Sequence, residues 1–303
     1  MRIFKRFFMP ILLLAMLVDC ASAQDPIQTT KIFLMDADGS NVMPFIMLPE
    51  YNHHGDPQYS HDGKRICFTT SMVVGGAAKC YIGIVAASGD LSTLKKIEGG
   101  RRAKWSPDDT KLLFMTRPYE DPNPGIYIID LESEERLRLA DGDHPSWSPD
   151  GSHIAYVSRD QNGLNITVAT LGTRKNLLTD VYQNITTPEW SPSGEYIAFF
   201  GYRNNVRELT IISSRGANEF FRVRLRATPD RMIGHVPSWS PDGKRLAFWI
   251  RGTDGVDRLH TLNPHTEDEP QLLKSQDGGR LNTDPTWSIN GKKIMFISDR
   301  EFK

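Results

Sequence analysis

The sequence predicts an all-β chain, a six-bladed β-propeller of four-stranded antiparallel blades closed by pairing of the N-terminal and C-terminal hairpins. Three observations predict it. A turn-centred motif recurs six times, each copy lies near a second pair of short apolar stretches, and each end of the chain carries half a repeat.

Taken in chain order, the first element is an address. Arg2, Lys5 and Arg6 precede a short apolar run from Met9 to Val18, and Ala21-Ser22-Ala23 supplies small residues for cleavage. That layout reads as a secretory signal peptide over residues 1–23, too short in its apolar run to span a bilayer. The rest, 24–303, reads as a single propeller domain with no transmembrane segment. Cys20 leaves a second reading open, lipidation at the cut, although Asp19 stands where such signals want a small residue.

Next comes a lone hairpin. Lys31 to Met35 and Val42 to Leu48 flank a turn at Asp36-Ala37-Asp38-Gly39. The turn resembles a calcium loop only briefly, because its glycine falls too early and Met47 occupies the place of the bidentate glutamate.

The six copies follow. Their aromatic anchors are Tyr59, Trp105, Trp147, Trp190, Trp239 and Trp287, at intervals of 46, 42, 43, 49 and 48 residues, and a serine follows each one. Seven residues after each anchor lies an aliphatic side chain. Nine after lies a second aromatic: Phe68, Phe114, Tyr156, Phe199, Phe248 and Phe296. In Ser148-Pro149-Asp150-Gly151, proline presets the first corner and glycine takes the left-handed position that closes a type I turn with a bulge. Anchor and apolar stretch are thus two strands of a tight hairpin, A and B. A second hairpin, such as Ile126–Asp130 with Glu135–Leu139, supplies strands C and D. Four strands every forty-odd residues make one propeller blade. The recurring aromatics are read as filling between blades, where rigid rings bury most area.

After Trp287 there is room only for A and B. The last blade must therefore take its C and D from the hairpin before Tyr59, which removes a free sheet edge and ties the chain ends together.

Composition narrows the function classes. Lys+Arg 36 against Asp+Glu 37 gives a net charge of −1, with mean hydropathy −0.41. A polytopic membrane protein and a disordered chain are excluded, and nothing supports a nucleic-acid partner. Three cysteines are too few for a disulfide scaffold. Cys67 and Cys80 flank the Gly75-Gly76 turn, and two readings stay open: a cross-strand disulfide, or two buried free thiols.

The Pro-x-Trp-Ser-Pro-Asp-Gly repeat resembles the WD-like repeat of the TolB-type six-bladed propellers, and is similar also to the propeller domains of prolyl-oligopeptidase-like peptidases. The resemblance spans about residues 31–300. Copies depart from it at Tyr59 and His61, at Ala103 and Asp109, at Ser193, and at Ile289-Asn290. TolB carries an α/β domain ahead of its propeller, whereas strand pattern here begins soon after the signal, so the chain is expected to be TolB-like without that domain. No Gly-x-Ser-x-Gly nucleophile elbow of the peptidases occurs.

Residues just before strand A should gather at one mouth of the central channel. They give a candidate ligand or partner ring of His54, Asp56, Arg101, Arg102, Asp143, His144, His235 and Asp284, with Thr186, Thr187 and Thr283 beside them. The plain alternative is a solvated rim of turn-capping side chains. No pair has metal-ligand spacing and two arginines intrude, so no metal, cofactor or catalytic residue is assigned. The expected function is an exported binding or scaffolding module of the bacterial envelope, periplasmic, secreted or lipid-anchored. It is expected to be monomeric and to bind an envelope protein, a peptide or a small ligand or glycan at the mouth. The rival expectation is a channel-mouth enzyme, a polysaccharide lyase or hydrolase, working through His144 and His235.

Overall fold

A computed structural model describes residues 29–74, 77–160, 163–170, 174–177, 182–216, 221–228, 232–234 and 236–301. Residues 1–23, read from sequence as a signal peptide and including Cys20, and the ring residue His235 lie outside the described residues. Among the described residues no helix is long and apolar enough to cross a membrane.

Six antiparallel sheets form six blades, each running outward from an innermost strand A. The A strands are His53–Tyr59 (blade I), Arg101–Trp105 (II), Asp143–Trp147 (III), Gln183–Trp190 (IV), the two pieces Met232–Ile233 and Ser238–Trp239 (V), and Asn282–Trp287 (VI). Blade VI is completed as the half-repeats require. Lys31–Asp36 pairs with Lys293–Ser298 over six residues, Phe33 opposite Phe296, and Met43–Ile46 forms the outer strand. Ala37 N donates to Lys292 O and Lys293 pairs with Asp36 at 2.9 Å, extending the seam past the strand end. Gly39 is needed in the turn of this hairpin: at φ +90° it lies so close to the backbone of Lys274 that a Cβ would fall 2.2 Å from its nitrogen.

The core consists of seams between blades. Cys67, Ile82, Ile84 and Ile97 of blade I pack on Ala103, Trp105, Leu112, Phe114 and Ile129 of blade II, and five other clusters repeat that relation around the ring. All six second aromatics are fully buried. The anchors also reach across. The indole nitrogens of Trp105, Trp239 and Trp287 donate to the carbonyls of Gln58, Glu189 and Ser238, each one residue before the anchor of the preceding blade. An indole thus joins hydrophobic burial to a directed bond, which fixes one blade against the next.

The turns make a second ring on the opposite face. In four of them serine Oγ donates to the aspartate two residues on at 2.6 Å, as in Ser106 to Asp108. The fourth turn residue then packs against the second residue of the preceding turn, for instance Gly151 on Pro107 and Gly243 on Pro192. The junction of blades I and II departs in both partners at once. His61 replaces the proline and so keeps a backbone N–H, and Asp109 replaces the glycine. The Asp109 carboxylate accepts from His61 N at 2.7 Å and Asp62 N at 2.8 Å.

The structure corrects the open question of the cysteines. Cys67 stands opposite Ile84 and Cys80 opposite Ser71, four steps apart along the ladder and hence roughly 13 Å. A disulfide needs Cα atoms within about 7 Å. Both are buried free thiols, Cys67 donating to Ala103 O and Cys80 accepting from Arg101 Nη2 at 3.0 Å.

Candidate functional site, the central channel

Strand A enters the channel with a bulge. In five blades the ladder to strand B shifts register, and the residue three before the anchor takes a left-handed backbone: Asp56 (φ 50°), Arg102 (53°), His144 (53°), Thr187 (41°) and Asp284 (48°). None is glycine. Each bulge re-aims its side chain toward the axis, and these five line the channel together with Val236 of blade V, whose A strand is split around it.

This sorts the ring expected from sequence. Asp56, Arg102, His144 and Asp284 meet at the axis. Their neighbours do not. His54 is buried against Phe68 with its Nδ1 2.7 Å from Thr30 O. Arg101 is buried in a pair with Glu120, and Asp143 pairs with Arg117 at 3.0 Å. The sequence reading missed Gln58, Lys104 and Glu189, which line the channel two residues further along the same strands, one before each anchor.

Two ion pairs organise the channel. Arg102 Nη1 meets Asp56 Oδ1 at 3.1 Å, and the same aspartate accepts from Thr69 Oγ1, which in turn accepts from Arg102 N. That network fixes blade I to blade II at the mouth. Two residues further along the A strands, Lys104 of blade II is ion-paired with Glu189 of blade IV. Burial pushes the Glu189 carboxyl above the usual carboxylate range, and the adjacent Lys104 ammonium opposes the shift. The free volume beside this pair is only about 10 Å³. The channel is thus a shallow polar socket with an ionic floor. Among the described residues no three of histidine, cysteine, aspartate and glutamate converge to hold a metal ion.

Comparison with known proteins agrees with this architecture. The family model of the TolB beta propeller domain matches residues 166–303, from strand C of blade III onward. The Tol-Pal system protein TolB of Alcanivorax borkumensis is 42% identical over 62 residues, 18% of this chain and 14% of its own. The uncharacterized peptidase YuxL of Bacillus subtilis is 23% identical over 218 residues, 68% of this chain and 31% of its own. The chain therefore spans well under half the length of these two relatives. The structure of a putative TolB from Agrobacterium tumefaciens superposes with a TM-score of 0.71 at 17% identity, covering 91% of this chain and 99% of that one. With the repeat, the six sheets and the terminal closure already in place, residues 166–303 match the TolB beta propeller domain, and the chain as a whole has the fold of a TolB-like six-bladed β-propeller.

Proposed function

We propose that the protein is an exported binding module of the bacterial envelope, with residues 1–23 a signal peptide and the propeller of 24–303 acting as a monomer that receives a protein or peptide partner at the channel mouth. The observation that carries this reading is the five left-handed residues at the mouth. Glycine holds such a backbone without strain, whereas a non-glycine residue there costs on the order of 1–3 kcal/mol. The chain bears that cost with aspartate, arginine, histidine and threonine, all aimed into one socket. Strain kept at a ligand-facing ring is a mark of a recognition site. Likeness to a protein named for the Tol-Pal system supports a protein partner and an envelope location.

Replacing mouth side chains by glycine tests it, because glycine keeps the bulge. His144→Gly and Thr187→Gly should leave thermal stability within about 1 kcal/mol of wild type while abolishing capture of the partner from the native envelope. Capture unchanged in both variants contradicts the reading.

A further inference from the structure

We infer that the socket recognises a cationic side chain, a lysine or arginine presented by the partner, which replaces Lys104 on the carboxylate of Glu189. The inference rests on docking at the channel mouth, as proposed above, and adds the chemistry of what enters.

The charges on the wall set the sign. The described lining residues carry three carboxylates, Asp56, Glu189 and Asp284, against two permanent cations, Arg102 and Lys104. Arg102 and Asp56 are held together at the rim by the Thr69 relay. The floor is left as the part able to exchange.

The space sets the mode of entry. The cavity these residues line, about 10 Å³, has room for about one water molecule, so a side chain that reaches Glu189 meets the Lys104 ammonium already on it. An entering group must displace one member of the Lys104–Glu189 pair, and only an exchange of like for like avoids leaving the other charge buried and unpaired. The two members differ in their freedom to leave. Lys104 has a long flexible stem that can carry its ammonium to water. Glu189 has the shorter stem, and its backbone is fixed by the Trp239 indole, which donates to the Glu189 carbonyl at 3.1 Å. The cation leaves and a cation enters.

The same strand position in blade III carries a buried hydroxyl without a partner among the described residues. Ser146 occupies in blade III the position that Lys104 and Glu189 occupy on either side. It is 2% exposed, and its Oγ has no hydrogen-bond partner among the described residues. That hydroxyl is left with unused hydrogen-bonding capacity at this strand position.

Capped pentaglycine peptides carrying lysine, arginine, glutamine or glutamate at the centre test the inference, read by NMR on the ¹⁵N-labelled indoles. The Trp239 indole N–H donates to the Glu189 backbone carbonyl, so its resonance reports on the backbone that carries this carboxylate. The lysine and arginine peptides should shift it saturably while the glutamine and glutamate peptides leave it in place. Glu189→Gln should lose the response. Lys104→Met, which removes the resident competitor, should bind the lysine peptide about tenfold more tightly. Should Glu189→Gln fail to fold, the Lys104→Met titration decides alone, and no gain there overturns the inference. A response to the glutamate peptide, silence to all four, or unchanged binding by Glu189→Gln also overturns it. Partner capture that depends on His144 and Thr187 but is not competed by the lysine peptide removes this inference alone. Capture indifferent to those residues removes the docking reading beneath it.

Discussion

Lys104 and Glu189 lie 85 positions apart in the chain and two blades apart in the ring, yet they form one ion pair across the channel. Their meeting depends on every level of the structure. The repeat places both one residue before an anchor, the bulges turn both strands toward the axis, and ring closure brings blade II to face blade IV. What a solvated rim would leave to water, this pair holds with two largely buried charges.

The junction of blades I and II should behave as a matched pair of exceptions. Asp109→Gly removes a carboxylate that accepts two backbone N–H groups and should cost about 1–2 kcal/mol in chemical denaturation. Adding His61→Pro restores the pattern of the other turns and eliminates one of the stranded donors. The double variant should recover most of the loss, a coupling that a double-mutant cycle measures directly. Additive losses would show that the two departures are unrelated.

Ring closure predicts that distant residues fail together. Phe33 and Phe296 are paired across the closing seam with ring centroids 5.8 Å apart, and both are buried. Phe33→Ala and Phe296→Ala should each cost about 3–5 kcal/mol and each lower one common calorimetric transition. A Phe33→Ala variant that only frays the N-terminal hairpin, leaving the main transition in place, contradicts closure.

Acid should weaken the protein through His54. Its Nδ1–H bonds Thr30 O, and burial holds its pKa down at about 4, against about 6.5 for an exposed histidine. The unfolded chain binds the proton first as pH falls, so the stabilisation present above pH 6.5 is lost progressively down to about pH 4, roughly 3 kcal/mol in all. Asn in place of His54 keeps the donor to Thr30 and cannot titrate. Glu189, raised by burial, contributes with the opposite sign in the acid range. The difference between wild type and His54→Asn in urea midpoints at pH 7 and pH 4.5 therefore isolates the histidine, and parallel pH profiles would refute its role.

The thiols give a simple chemical check. Burial pushes Cys67 well above the ordinary thiol range, and it faces an apolar seam. The folded chain of residues 24–303 should react with neither Cys67 nor Cys80 using an aromatic disulfide reagent, and should release two equivalents on denaturation under air. Release of none would mean that the two are bridged.

The repeat columns made the blades and their closure legible, because turn chemistry and burial leave a residue-by-residue trace. The cysteine register was legible too, once the shortest connection between the two strands is assumed. A ladder in which Val74 faces Ala77 pairs position 67 with 84, and 80 with 71. The site was legible only in part. A left-handed bulge formed by Asp, Arg, His or Thr carries no glycine to announce it, so sequence could not choose between Arg101 and Arg102 or between Asp143 and His144. Lys104 and Glu189 shared a column with opposite charges, and that signal could have found them. Val236 could not have been found, since an apolar residue at a split strand looks like core.

The most direct test of the socket is the coupling between its two floor residues, measured by a double-mutant cycle of Lys104→Met and Glu189→Gln in chemical denaturation. A closed six-bladed ring with an ionic floor predicts that each single variant is destabilised and that the pair is less destabilised than their sum, by at least about 1.5 kcal/mol. Strict additivity would mean that the two side chains do not meet, and that the channel is not the site described.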